Sequence, residues 1–110
     1  MVDSGITGRS WLVDLVPDEV RIRCWYRRLR KRIVQYTVQL EIRQAGQWQP
    51  AVRYDNAHGF CHRDTIHADG TQEKTPVYFG DANETFTYAI ADLQGNWQAQ
   101  RARFLRETDQ

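Results

Sequence analysis

From Val20 the chain alternates apolar and polar residues in steps of two. Val20, Ile22, Cys24 and Tyr26 fall on one side of an extended strand, and Arg21, Arg23, Trp25 and Arg27 fall on the other, because successive strand side chains point to opposite faces. The pattern predicts a half-buried strand with a basic outer face. Leu29-Arg30-Lys31-Arg32 then turns the chain without the Gly or Asn of a tight hairpin. The next run sets Val34, Tyr36, Val38, Leu40 and Ile42 against Gln35, Thr37, Gln39, Glu41 and Arg43, and its β-branched residues suit a strand. Gln44-Ala45-Gly46-Gln47 reads as a hairpin loop that returns the chain through Trp48 to Tyr54, with Pro50 tolerable near an edge or a bulge. Asp55 to Gly59 breaks that strand, Phe60 to His67 is extended again, Ala68 to Thr71 has turn chemistry, and Thr75 to Phe79 supplies a last strand. Upstream, Trp11 to Val16 is a short apolar stretch stopped by Pro17, either a short strand or a tucked arm, and residues 1–9 form a loose lead-in.

After Gly80 the period becomes helical. Phe86, Ile90, Leu93, Trp97 and Phe104 recur at steps of three, four and seven, so one face of a helix over residues 82–107 covers the sheet. Asp81 with Glu84 three residues on resembles a capping box, and Arg101, Arg103 and Arg106 suit the negative end of the dipole. Gly95 costs about 1 kcal/mol relative to Ala inside a helix. The expected fold is α+β: an antiparallel sheet of about five strands over residues 19–79, packed by one long C-terminal helix. A chain of 110 residues with 41% hydrophobic content supports one such domain and hardly two.

Composition narrows the class. No apolar run approaches the roughly 20 residues of a membrane span, and the N-terminus lacks a signal-peptide layout, so a cytoplasmic protein is expected. Cys24 and Cys61 make neither a disulfide framework nor a CxxC pair. The net charge is +1, yet residues 1–55 carry +4 and residues 56–110 carry −3. Much of the excess is Arg21, Arg23, Arg27, Arg28, Arg30, Lys31 and Arg32, a cluster that attracts polyanions or an acidic partner. Trp25 among guanidiniums suits stacking on unpaired bases while Arg holds phosphates. It equally suits a solvated face on which Arg stems cover the ring, and docking of an acidic protein.

The densest chemistry lies between Arg53 and His67, which holds all three histidines with Tyr54, Asp55, Cys61, Arg63 and Asp64. Imidazoles exchange protons near neutral pH and an adjacent Arg neutralises phosphate charge, so the segment could cleave RNA without a metal. In that scheme His62 is base or acid, His58 or His67 its partner, Arg63 and Arg53 clamp phosphate, and Asp64 or Asp55 orients an imidazole. The bland alternative is an ordered polar loop. His58, His62, His67, Asp64 and Cys61 are also competent metal ligands, but His-x3-His gathers both rings only on a helix, so no metal and no cofactor are expected.

On Arg53, Tyr54, Asp55, Asn56, Gly59, His62 and Arg63 the sequence resembles the TumE-type toxins of bacterial and archaeal toxin–antitoxin modules. Their hallmark is a strand ending in Tyr-Asp-Asn followed by a Gly- and His-rich stretch. The likeness extends to the strand Ile33 to Ile42 and to the C-terminal helix with Phe86, Leu93 and Trp97, about two thirds of the chain. Asp64 stands where the family has its second histidine. The resemblance implies a toxin acting on RNA, with a helix-turn-helix antitoxin as partner. The alternative is a non-enzymatic module that binds nucleic acid or protein through Arg21, Arg23, Trp25 and Arg27. The sheet edges leave room for pairing in a homodimer.

Overall fold

A computed structural model describes residues 5–109. Six strands follow one another in a single antiparallel sheet, each paired with its sequence neighbour: β1 (Ile6–Val16), β2 (Val20–Leu29), β3 (Arg32–Gln44), β4 (Gln47–Asp55), β5 (His62–Ile66) and β6 (Gln72–Pro76). One helix, α1 (Ala82–Thr108), crosses one face of this meander. The fold is thus the expected α+β arrangement, with six strands where about five were read.

The extra strand is β1. Its first residues, Ile6 to Arg9, were assigned to a loose lead-in, but they pair with Arg27–Leu29 and Tyr26 of β2. Residues rich in Gly, Ser and Thr give no alternation to read, and a neighbouring strand supplies the order by backbone pairing. Residues 1–4 of that lead-in lie outside the described residues. The last strand ends at Pro76, earlier than the expected Thr75 to Phe79.

Turn chemistry explains the hairpins. Ala45 and Gly46 both have positive φ, 53° and 77°, as a two-residue type I′ turn requires. The β2–β3 turn puts Arg30 at φ 57°, a left-handed conformation disfavoured for side chains with a Cβ. Between Arg27 and Arg28 the register shifts, so that Val34 has no partner on β2. Val34 was read with the buried set, yet it is exposed, and Ile33 packs on the core instead. A second shift between Leu40 and Glu41 leaves Ala51 as the extra residue beside Pro50, a position where a missing proline N–H breaks no ladder bond.

On the helix side, Val20, Ile22, Cys24, Tyr36, Val38, Leu40, Val52 and Tyr54 are buried together with Phe86, Ala89, Leu93 and Phe104. Burying each large side chain is worth about 1.5–3 kcal/mol. The expected capping box is present: Glu84 N donates to Asp81 Oδ1 (2.9 Å) and Asp81 N to Glu84 Oε1 (3.2 Å). Near the far end of α1, Arg103 donates to the carbonyls of Ala51 (2.8 Å) and Ile66 (3.1 Å), tying the helix to β4 and β5. Gly95 sits on the exposed side of the helix, where a side chain would meet nothing.

Candidate functional site on the open sheet face

The face of the sheet away from α1 is polar, and the strand register lines its residues into rows. Trp25, Thr37, Asp55, His62 and Pro76 are successive partners from β2 to β6, and Arg23, Gln39, Arg53, Asp64 and Lys74 form the adjacent row. Directly paired residues share a face, so the Arg/Trp strand face and the His/Asp segment lie on one surface. With strands about 4.8 Å apart, Trp25 and His62 are separated by about 14 Å.

At one side of this surface a carboxylate organises the cations. Glu41 is buried although no layer covers it, and it accepts from Arg21 Nε (2.7 Å), Arg23 Nε (3.1 Å) and Gln39 Nε2 (2.6 Å). Burial opposes ionisation of Glu41, but these donors hold its carboxyl below the usual range. Arg53 Nε continues the chain to Gln39 Oε1 (2.7 Å). Arg21 also lies over Trp48, 3.9 Å from the ring centre, with Arg43 at 5.7 Å. Trp48, Glu41 and Gln39 were not singled out from the sequence. Alternation along β3 puts Glu41 and Gln39 on the same face as one another, but the bulge at Ala51 hides the parity of Trp48.

At the other side, the Tyr54-Asp55-Asn56 segment sends its three side chains in three directions. The Tyr54 hydroxyl donates to Asp92 Oδ2 (2.6 Å) under the helix, and burial followed by Asp92 pushes this phenol far above its ordinary pKa. Asn56 stitches loop to strand: Tyr36 N donates to its Oδ1 (2.9 Å) and its Nδ2 to Val34 O (3.3 Å). Asp55 faces the open side, where its Oδ1 meets His62 Nε2 at 2.9 Å and accepts from Ala57 N (3.0 Å).

His62 is only 1% exposed. The loop from Asn56 to Cys61 folds over it, stacking the His58 ring at 5.8 Å and setting the Phe60 ring edge-on at 5.8 Å. Asp64 is 3% exposed on the same face, and its Oδ1 and His62 Nδ1 have no hydrogen-bond partner among the described residues. Asp55, His62 and Asp64 each offer a donor atom within 4.8 Å of the others. Beside the loop a cleft of about 410 Å³ opens towards the start of α1, lined by Phe60, Cys61, Tyr78, Phe79 and Thr85.

The remaining candidates lie elsewhere. Arg63 pairs with Tyr54 on the helix side, its guanidinium 6.0 Å from that ring, and therefore faces away from His62. His67 sits past the other end of β5, held by Glu107 at 2.6 Å and Glu73 at 3.4 Å. Burial raises the thiol pKa of both cysteines, that of Cys24 to about 11, which leaves them protonated and unreactive. The structure therefore brings together Asp55, His58, His62 and Asp64 with Arg53, Arg21, Arg23, Trp25 and Arg27, and separates Arg63, Tyr54 and His67 from them.

No helix among the described residues is long and apolar enough to cross a membrane. No curated protein and no solved structure matches the chain. A family model described as "Domain of unknown function (DUF7718)" matches residues 7–110, and over that span, with the whole sheet and helix inside it, the chain belongs to the DUF7718 family.

Proposed function

We propose that the open sheet face binds single-stranded RNA. The observation that carries this reading is the strand register, which sets Trp25, Arg23, Arg27 and Arg53 in adjoining rows on one uncovered surface. Bases stack on the accessible part of a half-buried aromatic ring such as Trp25 while guanidiniums follow the phosphates, an arrangement suited to unpaired strands. The β2–β3 turn adds Arg28, Arg30, Lys31 and Arg32 at the same end of the sheet as the His62 loop. The test is fluorescence anisotropy with a labelled single-stranded RNA. Binding should weaken steeply with salt, Trp25→Ala should cost about 1–3 kcal/mol, and Arg27→Glu should make the salt dependence shallower. Affinity unchanged in both variants removes the proposal.

A toxin with ribonuclease-like activity is the second reading, favoured by the Asp55–His62 contact and the stacked His58 ring. Asp55 would orient His62 as base or acid, with His58 as the second imidazole and Arg53 as phosphate clamp. The 56–61 loop must then lift for a phosphate to reach His62. Expression in a bacterial host tests it: wild type should arrest growth and His62→Ala should not. Equal arrest by both, or arrest by neither, rules this reading out. Under it the TumE resemblance implies a helix-turn-helix antitoxin as the neutralising partner.

A further inference from the structure

We infer that Asp55, His62 and Asp64 form a binding site for a divalent transition-metal ion, with Zn²⁺ as the natural probe. The inference stands apart from RNA binding, since it rests on the state of two buried side chains and the half-buried Asp55 beside them. Two of them, His62 and Asp64, are at least 97% buried, and Asp64 Oδ1 has no hydrogen-bond partner among the described residues. Buried polar atoms are nearly always satisfied, so the unmet oxygen of Asp64 beside His62 and Asp55 points to a missing occupant.

The same surface shows what a satisfied buried carboxylate looks like. Glu41 is 5% exposed and is met by two arginines and a glutamine. Asp64 has Arg53 and Lys74 as its register partners, yet no ion pair to either is formed, and Arg53 Nε is turned to Gln39. No Lys or Arg lies within ion-pairing distance of Asp64 among the described residues. A carboxylate taken out of water without a counter-charge is strongly unfavourable, and a cation between two carboxylates removes that cost.

The donor set selects the ion. One imidazole with two carboxylates suits Zn²⁺ or Mn²⁺, whereas Mg²⁺ and Ca²⁺ prefer oxygen alone. The Cys61 thiol belongs to the cluster on the helix side and takes no part. The separation of 2.9 Å between His62 Nε2 and Asp55 Oδ1 is a few tenths of an ångström below the about 3.3–3.6 Å that bonds of about 2.0–2.2 Å set between two ligands of a tetrahedral ion, so a small side-chain shift seats one. The ion then takes the place of the proton between these atoms, and the ring stays neutral by carrying its one proton on Nδ1 instead. Three protein ligands would leave a fourth coordination position for water or a further ligand.

The test is isothermal titration of the chelator-treated full chain with Zn²⁺, with thermal unfolding alongside. Wild type should bind one Zn²⁺ per chain and unfold at higher temperature when loaded. Asp64→Asn and Asp55→Asn should each weaken binding at least tenfold. His67→Gln, which alters the separate cluster with Glu73 and Glu107, should bind as wild type does. Without metal, Asp64→Asn should unfold at a temperature no lower than wild type, because it removes an uncompensated buried charge. Should that variant fail to fold, Co²⁺ in the wild-type chain gives an independent readout, with a visible d–d band and no thiolate charge-transfer band expected. No stoichiometric Zn²⁺ binding, binding unaffected by the two Asp variants, binding lost only in His67→Gln, or a thiolate band each overturns the inference. A failure of RNA binding leaves it standing, since the titration contains no RNA.

Discussion

On the helix side of the sheet, Val38 and Leu40 are fully buried in the apolar cluster with Phe86 and Leu93. One residue further along the same strand, Glu41 reaches 5% exposure on a face with no layer above it. The first kind of burial comes from stacking two apolar surfaces. The second comes from side chains lying sideways over one another, as Arg21 does over Trp48 and as His58 and Phe60 do over His62. Layer packing tolerates any apolar filling of the right volume. Lateral packing of charged groups stands only while each charge is met, so its polar residues cannot be exchanged freely.

The largest effect expected from breaking this contrast is on the helix side. Leu93→Ala removes a fully buried side chain from the cluster and should cost about 2–5 kcal/mol in urea unfolding, as truncation leaves a cavity. RNA and Zn²⁺ binding by the folded fraction should be unchanged. A loss below about 1 kcal/mol would mean that the helix is not what closes the fold.

On the open face, Glu41→Gln keeps the shape and removes the charge that Arg21 and Arg23 share. It should cost about 1.5–3 kcal/mol, the scale of hydrogen bonds to a charged group. Because the folded carboxyl lies below its ordinary 4.5, this contribution is present above 4.5 and fades as pH falls through the folded value. The gap between wild type and variant should therefore narrow in acid. A variant as stable as wild type at neutral pH would show that the open face is not held by its acids.

Much of this contrast could be read from the sequence, and what could not has a definite reason. Alternation along β2, and along β3 from Gln35 onward, gave both faces correctly, and Asp81 with Glu84 marked the helix start. Along β5 the same rule separates Arg63 from His62 and Asp64, yet density alone had grouped Arg63 with them as a phosphate clamp. Alternation cannot say which face of one strand adjoins which face of the next. That needs the register, and the register is what joins Trp25 to His62. Bulges erase parity altogether, which is why Val34 was misplaced and Trp48 overlooked. The burial of His62 depends on how the 56–61 loop lies, a tertiary property with no period. The role of Asn56 as a stitch between loop and β3 is equally invisible in Tyr-Asp-Asn as a string of letters.

The smallest effect separates a lateral polar cluster at the rim from those at the centre. His67 lies beside Glu107, Glu73 and Asp69, with Arg103 bound to Glu107 at 3.0 Å. Its hydrogen bond to Glu107 raises the imidazole pKa above 6.5 despite the opposing effect of burial, and the same bond lowers Glu107 below 4.5. A raised imidazole contributes stability that is full below 6.5 and lost as pH rises through the folded value. A lowered carboxyl contributes stability that is full above 4.5 and lost as pH falls. The pair is thus strongest between 4.5 and 6.5. Melting temperatures of wild type and His67→Gln should differ most in that window and converge as pH rises past the folded imidazole value, with Arg103 keeping Glu107 partly paired throughout. A difference that stays constant with pH would show that His67 acts by packing rather than by charge, and would set it with the helix face rather than the open one.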